Sequence, residues 1–558
     1  MSAGSTPHQT TPKQHARRVN KAAAGRDGRR QNRSTPAASI SDALSDRATL
    51  MLIRRTLCPQ TLADKNRDDT QPIEELLPPL TSRNDLDLQI YAFLAIVLRE
   101  FVQNWYNKIT PDETFVDEIV QVIAHCTRAL EGRFRNVDLE SLIFDEIPDL
   151  LDRHVTAYRA SHTPVSQSPV EINPREAYHA LCPLPQLSPV PSSENKASVE
   201  EQAANETVYR QLLVEGMLSI LLPTEDLENP CLTALVGQIL SELIIGNLFI
   251  NKASQPWLLF ESVCTVSRVL REKNAVTSHE PKESKESKWS LNSIMVLMIY
   301  LGATLVAWFR LFVDMLTVSA TLQSRFVTVE FSKPPNNKAR RTVDRPEHRP
   351  VKAPVLEFKL WKCAGNIIQL STRMPWLSGI LSLIQHQAVH GPGRFASLDS
   401  RLDRFLSRGA SSLLSPSKLA PVLRTLRGVV FPNNAPGSSS LVAPESEEEL
   451  RALRHRAATS LIELLPARLA QLYFGHQRDG SSERDAGDDA KTGRQAPTRQ
   501  RDVPLGAMAD DMEGLLMVFG DEYCNKHLMY SVLELILVRL MPELVDRGVM
   551  ELLDERLG

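Results

Sequence analysis

The sequence predicts an all-α protein, because apolar residues recur at helical spacing in most of the core-forming stretches and no strand pattern separates them. The evidence is strongest in residues 86–161, 209–263 and 515–544. In the first stretch, large apolar residues from Ile90 to Trp105 recur at i, i+3 and i+4, which places them on one helical face. Polar tracts then divide the chain into helical regions, and these tracts are residues 183–205, 274–288, 333–354 and 476–504.

The order of helix signals along the chain supports this fold class. Thr110-Pro-Asp-Glu113 has the form of a capping box and predicts that a second helix follows the first. Apolar spacing continues through residues 137–158, where Pro148 predicts a kink or a new helix start. Asn229-Pro230 predicts the start of another strongly apolar helix. Residues 515–544 repeat the same pattern near the C-terminus.

The N-terminal residues 1–36 contain eight Lys/Arg and one acidic residue, Asp27, with few apolar residues. This composition predicts a disordered basic arm, which we extend over residues 1–48. The arm lacks the apolar region of a secretory signal. Two interpretations stay open: a solvated arm that touches anionic lipid, or a transit peptide, whose Arg-rich and acid-poor composition it shares.

The seven cysteines are scattered, and neither a C-x-x-C motif nor a Cys/His cluster at ligand spacing is present. This spacing excludes a zinc-finger site and gives no sign of a disulfide framework. Cys126 falls among Ile119, Val122 and Ile123 on an apolar helix face, as expected for a small core residue.

Several segments, in consistent order, resemble the PX-associated (PXA) domain, a helical module of certain sorting nexins and fungal proteins. The matching residues are Phe101-Val-Gln-Asn-Trp-Tyr106, Phe115 with Ile119, Arg133, Asp138-Leu-Glu-Ser-Leu142, His154 with Tyr158-Arg159, Leu218-Ser-Ile-Leu-Leu-Pro223, Leu235 through Leu243, and Pro256-Trp-Leu258. Together they cover about 180 residues.

The C-terminal region resembles the nexin C-terminal domain of the same sorting nexin subfamily. The matching residues are Asn525 through Leu533, Met541-Pro-Glu-Leu544, Leu464-Leu-Pro466, Phe474-Gly475, and Leu423 through Pro432. We find neither a PX domain nor a regulator-of-G-protein-signalling domain, so recognition of phosphoinositide through a PX pocket is not implied. The resemblance does imply that the two terminal domains fold against each other around an apolar groove suited to lipid.

These observations predict six regions. They are a basic arm (1–48), a PXA-like helical domain with a loop at 162–205 (49–272), a linker (273–288), a long apolar helix (289–326), a basic Pro-rich linker (333–354), and a nexin C-like helical domain with a flexible insert at 476–504 (355–558).

The apolar run 289–309 carries no charged residue and is long enough to cross a bilayer core of about 30 Å. A single span would, however, separate two domains that are expected to pack together. A buried or groove-lining helix and a membrane-inserted segment therefore both stay open. The residues that would contact lipid in this segment are Trp289, Ile294, Leu297, Leu301, Leu305, Trp308 and Phe312.

A second candidate for membrane contact is the basic segment from Arg394 to Arg427, read as an amphipathic helix. It would lie on anionic lipid, and a solvated helix packed on its own domain is the alternative. The candidate contact residues are Phe395, Leu402, Phe405, Arg401, Arg404 and Arg408.

The sequence matches none of the motifs expected for nucleotide, acyl-transfer or zinc-protease chemistry. His154 lies beside Leu150, Leu151 and Tyr158 on a helical face, which is typical of a hydrogen-bonded core histidine. The basic tracts lack interleaved aromatic residues, so nucleic-acid binding ranks last. We therefore expect no enzyme activity and no cofactor.

The sequence thus predicts a membrane-associated protein that binds phosphoinositide or phospholipid, with lipid transfer or membrane tethering in trafficking as its role. Membrane lipid and an anionic membrane surface are the expected partners, on the cytoplasmic face of the endoplasmic reticulum or of endosomes. The alternative is a non-catalytic membrane-anchored scaffold whose PXA-like domain binds a protein partner.

Overall fold

The computed structural model describes eleven ranges, which are residues 45–58, 72–110, 114–163, 173–192, 194–277, 313, 352–431, 434, 443–466, 469–474 and 505–557. Throughout these ranges the regular structure is helical, and none of their residues belongs to a strand. The all-α prediction is therefore confirmed for the described part of the chain.

The first half of the chain contains twelve described α-helices, joined in places by π-helical or 3₁₀ turns. They are α1 (Asp46–Leu57), α2 (Ile73–Leu76), α3 (Asn84–Val97), α4 (Asn104–Tyr106), α5 (Thr114–Phe134), α6 (Leu139–Ser141), α7 (Ile147–His162), α8 (Pro174–Leu181), α9 (Lys196–Leu221), α10 (Thr224–Leu227), α11 (Pro230–Gln238) and α12 (Pro256–Thr277).

The second half continues the all-helical pattern. Its described helices are α13 (Lys359–Ile367), α14 (Leu370–Arg373), α15 (Pro375–His390), α16 (Arg401–Leu413), α17 (Pro416–Val430), α18 (Glu447–Ile462), α19 (Leu505–Leu516), α20 (Glu522–Leu540), α21 (Glu543–Asp546) and α22 (Val549–Leu557).

Local sequence signals account for several helix boundaries. The side chain of Asn229 accepts hydrogen bonds from the backbone N–H groups of Cys231 and Leu232, which confirms the predicted cap. Pro148 lies in the first turn of α7, directly after a π-helical turn, as the predicted new start requires. The predicted capping box extends over residues 111–113, which lie outside the described residues.

Helix α3 is covered on more than the one face that its apolar spacing predicts. Ala92 and Ala95 are fully buried in the core shared with α1. On another side, Phe93 makes an edge-to-face contact with Phe431, at 6.0 Å between ring centroids. The stripe of large residues therefore accounts for only one of the covered sides of α3, which lies between α1 and the end of α17.

The loop expected at 162–205 is wrong over much of its length. Helix α8 occupies 174–181, and α9 begins at Lys196 with Asn195 as its N-cap. Gln202 belongs to the polar tract 183–205 that predicts a loop, and Glu206 follows this tract directly. In the fold they are buried on the inner face of α9, where the Gln202 side chain donates a hydrogen bond to Glu206.

The C-terminal helix α20 lies inside the helical region formed by the first half of the chain. Its Tyr523 and Tyr530 are buried with Val214 and Leu218 of α9. About two turns further, Leu537 and Leu540 are buried against Leu221 and its neighbours. The core of the N-terminal region is thus completed by residues more than 250 positions away in the chain.

Candidate lipid-binding cleft and membrane-facing surface

An open cleft lies between α12 and α18, where the N-terminal and C-terminal helical regions meet. Its volume is about 940 Å³, within the range of small-molecule sites. The residues that line it are Trp257, Glu261, Cys264, Arg268, Arg271, Ala443, Pro444, Glu449, Ala452, Leu453, Arg456 and Ser460.

Three arginines and two glutamates, Glu261 and Glu449, line the cleft and give its rim a small excess of positive charge. Arg456 is paired with Glu261 at 2.7 Å, and Arg271 is paired with Glu463. Arg268 is exposed and has no ion pair with a described residue. An anion that enters the cleft would therefore meet one unpaired guanidinium and two others held by partly exposed carboxylates.

The walls of the cleft are largely apolar. Trp257 and Cys264 of α12 face Leu453 and Ala452 of α18 across it. On the same two helices, Phe260 is buried with Ala457 and Ala458 in the core between α12 and α18. The combination of an apolar wall and a cationic rim matches the two ends of an anionic amphiphile.

Around α20 the junction between the N-terminal and C-terminal helical regions is closed, and buried polar side chains lie among its apolar residues. Arg210, with a side chain 7% exposed, lies 3.5 Å from Glu206 and donates a hydrogen bond to the Tyr530 hydroxyl at 3.3 Å. Tyr530 in turn donates to Glu206, and Arg210 also pairs with Glu242. The groove implied between the two terminal domains is therefore filled by side chains at α20, and the open part of the junction lies between α12 and α18.

Histidines form a second buried cluster, close to the first turn of α20. His154 contacts the Tyr178 hydroxyl at 2.8 Å and the Val518 carbonyl oxygen at 3.3 Å. Burial lowers the pKa of His154 to about 4 and that of His527 to about 4. The prediction of a hydrogen-bonded core histidine is confirmed.

The predicted lipid-contact residues fall into two groups. One group lies outside the described residues and consists of Trp289, Ile294, Leu297, Leu301, Leu305, Trp308 and Phe312. The other group is in the described region but has mixed exposure. Phe395, Arg401 and Arg408 are exposed, whereas Leu402 packs against Val389 and its neighbours.

The prediction of one amphipathic helix from Arg394 to Arg427 is wrong. Arg394 and Asp399 adopt left-handed backbone angles, with φ of 39° and 64°, in the turns that precede α16. Ser400 then caps α16 by accepting a hydrogen bond from the Asp403 N–H, and α17 starts separately at Pro416. Phe395 consequently does not share a helical face with Leu402 and Phe405.

The remaining members of the predicted basic face are partly engaged inside the fold. Arg404 donates to both carboxylate oxygens of Asp399, at 2.9 and 2.8 Å. Phe405 is half-buried. Within the described chain, Arg401 and Arg408 form no ion pair, so these two cations stay available to an external anion.

Sequence reasoning missed the most exposed apolar helix, α15. Trp376, Ile380, Leu383 and Ile384 are each about half exposed. A signal was present, because residues 374–393 contain no Asp, Glu, Lys or Arg. This is the property that singled out residues 289–309.

One described helical segment, formed by α11 and the π-helix Ile239–Lys252 that continues it, has the length and apolar composition needed to cross a membrane. In the fold it packs against α9 and α20, and Ile245 and Ile250 are buried there with Val214. Length and composition alone suggest a membrane span, and core helices of globular proteins share both properties.

His455, Asp510 and Glu513 place their ligand atoms within 4.8 Å of one another. His455 and Asp510 are exposed, and Arg454 already pairs with Glu513 at 2.7 Å. We interpret this cluster as a surface ion-pair network.

The chain matches a domain family over part of its length and a known protein over most of it. Residues 83–266 match the PXA domain family. PXA domain protein 1 of Schizosaccharomyces pombe is 24% identical over 506 residues, which cover 81% of this chain and 97% of that protein.

Two sorting nexins match over shorter lengths. Human sorting nexin-13 is 23% identical over 202 residues, which cover 33% of this chain and 20% of that protein. Sorting nexin-14 of Danio rerio is 36% identical over 70 residues, covering 12% of this chain and 8% of that protein. No solved structure matches the chain.

Proposed function

Because residues 83–266 form a PXA domain and the chain is related to sorting nexins, we propose that it is a membrane-associated lipid-binding protein of intracellular trafficking. The observation that carries this proposal is the cleft between α12 and α18. Helix α12 begins inside the PXA domain, and α18 belongs to the C-terminal region, so a bound lipid would contact both.

The chemistry of the cleft favours a phospholipid. Arg268, Arg271 and Arg456 offer planar guanidinium groups, which suit the oxygens of a phosphate. Trp257 and Leu453 provide apolar surface for the proximal part of an acyl chain. Contacts of this kind to the phosphate and to the acyl chain require no catalytic step. The proposed role is lipid binding, which would serve lipid transfer or membrane tethering.

The proposed site of action is the cytoplasmic face of the endoplasmic reticulum or of endosomes. There, anionic lipids attract basic protein segments. Basic segments of this chain include the N-terminal arm, the linker 333–354 and the exposed arginines of α16.

The test is lipid capture by the purified full chain. We expect native mass spectrometry and lipid extraction to find bound phospholipid and expect the variant Ala452→Trp, which fills the cleft from an exposed position, to lose it. Arg268→Glu should lower the bound fraction of anionic phospholipid. A wild-type protein that is reproducibly lipid-free and moves no lipid between vesicles would overturn the proposal.

Matched controls keep this test specific. Ala204→Trp places the same large side chain at an exposed position on α9, away from the cleft. Arg451→Glu reverses a charge on α18 at a residue that does not line the cleft. Both controls should retain lipid at the wild-type level. Equal losses in test and control variants would point to a general effect on folding.

A scaffold role is the second candidate, and an exposed surface of the PXA domain favours it. Val208 and Leu212 lie one helical turn apart on α9 and are 54% and 51% exposed, as residues of a protein-binding face would be. The double variant Val208→Glu/Leu212→Glu should then lose recruitment in cells while its lipid binding in vitro stays intact. Normal recruitment of this variant would remove the scaffold hypothesis.

A further inference from the structure

Helix α15 is distinguished by an apolar face that the described body leaves uncovered. Trp376, Ile380, Leu383 and Ile384 lie at i, i+4, i+7 and i+8 and therefore share one face. Their side chains are 53%, 47%, 59% and 58% exposed. Monomeric soluble proteins seldom expose such a continuous row of large apolar residues.

The helix is fastened to the protein at its two ends. At the C-terminal end, Ala388 and Val389 are buried with Ala396, and the Gln385 side chain donates to the Leu356 carbonyl oxygen. At the N-terminal end, Met374 is buried. The helix therefore holds a defined position while its apolar face points away from the residues that secure it.

A few unpaired cations remain on the surface around α15. Residues 352–431 contain eleven Lys/Arg. Six of them form ion pairs, namely Lys352, Lys359, Lys362, Arg373, Arg404 and Arg424, and Arg427 is buried. Arg394, Arg401, Arg408 and Lys418 have no ion pair with a described residue.

Three of these cations lie close to α15 in the chain and have no ion-pair partner among the described residues. Arg394 follows the helix directly, and Arg401 and Arg408 project from α16, whose Leu402 packs against the end of α15. A row of apolar residues beside exposed arginines is the arrangement that favours an anionic lipid surface.

Resting on the membrane association proposed above, we propose that α15 is an interfacial anchor that inserts its Trp376–Ile384 face into an anionic bilayer. At 16 residues the helix is about 24 Å long, shorter than the ~30 Å hydrocarbon core. It therefore lies in the interface. Gln385, on the opposite side of the helix, faces the protein, where it donates a hydrogen bond to the Leu356 carbonyl oxygen.

The test is sedimentation of the purified full chain with phosphatidylcholine vesicles that contain phosphatidylserine. We expect the double variant Ile380→Glu/Ile384→Glu to lose vesicle affinity by roughly tenfold to a hundredfold, because two apolar side chains that would insert into the bilayer become charged. Arg401→Glu/Arg408→Glu should weaken binding less, and this second loss should shrink as salt is added.

The matched control is Val545→Glu/Met550→Glu, which changes two exposed apolar residues of α21 and α22. It should bind vesicles like the wild type. Circular dichroism and thermal unfolding of all variants show whether they fold. Unchanged sedimentation of folded Ile380→Glu/Ile384→Glu would overturn the anchor.

Other occupants of the face give other outcomes. If residues 289–309 cover α15 within the same chain, the Ile380→Glu/Ile384→Glu variant should lose thermal stability and keep its vesicle affinity. If a second copy of the chain covers it, the wild type should be a dimer without lipid and the variant a monomer. Either result would contradict the anchor, and lipid extracted from the cleft would still support the proposed function.

Discussion

The junction around α20 and the free face of α15 are both rich in large apolar side chains, yet they meet opposite surroundings. In the junction, Leu537, Leu540 and Tyr530 are buried, and the charges of Arg210 and Glu206 are buried with them. On α15, side chains of similar size stand about half exposed, and residues 374–393 carry no formal charge. The difference shows that apolar periodicity identifies a helix face but does not identify what covers it.

The largest expected contrast comes from removing a charge in the junction. Arg210→Met leaves Glu206 buried with one cation, Lys526, at 3.5 Å. We expect a loss of about 3–5 kcal/mol in the free energy of unfolding, measured by denaturant titration of the full chain.

The control for this prediction is Arg153→Met. It removes a pair in which the arginine side chain is 67% exposed and should cost less than about 1 kcal/mol. Similar losses for the two variants would mean that the junction is more hydrated than its buried side chains indicate.

Truncation of single apolar side chains compares the junction around α20 with the exposed face of α15 more directly. Leu540→Ala creates a cavity at a residue that is 6% exposed, and we expect a loss of about 2–5 kcal/mol. Ile380→Ala on α15 should change the free energy of unfolding by no more than about 0.5 kcal/mol. A large loss at Ile380 would show that something covers α15 in the isolated chain.

Acidification should weaken the junction specifically. The pKa values of His154 and His527 are about 4 in the folded chain, below the ordinary value of about 6.5. The unfolded chain therefore binds more protons between these values, and stability is fully present above about pH 6.5 and is lost as the pH falls towards 4.

For the two histidines together, we expect a loss of about 1–1.5 kcal/mol between pH 7 and pH 6. Unfolding titrations at a series of pH values would measure it. His154→Gln, which cannot titrate, should reduce the slope by roughly half. A slope that is unchanged in this variant would assign the pH dependence to other groups.

The effect on stability should also be small at the rim of the cleft, where the main expected change is in lipid binding. Glu261→Gln removes the partner of Arg456, whose side chain is 63% exposed, and should change the free energy of unfolding by less than about 1 kcal/mol. Because the arginine is then unpaired, the bound fraction of anionic phospholipid should rise. A fall in bound lipid would place the phosphate away from Arg456.

The fold class and several helix boundaries could be predicted from sequence because they depend on local chemistry. Asn229 caps its helix with its own side chain, and Pro148 starts a turn that its missing N–H permits. The start of α9 was not predicted because the polar tract 183–205 is typical of a loop. Glu206, which follows this tract, is buried with Lys526 and Tyr530, more than 300 residues later.

The candidate site was less accessible to sequence reasoning. The cleft brings Arg268 and Arg456 together from two helices nearly 190 residues apart, and no local spacing predicts such a meeting. The break between Phe395 and Leu402 depends on left-handed backbone angles at Arg394 and Asp399, which are not glycines. The resemblance of the C-terminal region to the nexin C-terminal domain and the role of residues 289–326 stay predictions.

The position of α20 inside the N-terminal helical region has a consequence for synthesis of the chain. The ribosome adds Tyr523, Tyr530 and Leu540 more than 250 residues after it has added residues 83–266, so this region lacks its core helix α20 until they are made. During that interval the apolar face of α9 is open to chaperones and to aggregation. Truncation before residue 522 should therefore impair folding of the PXA domain itself, although it removes no residue of that domain.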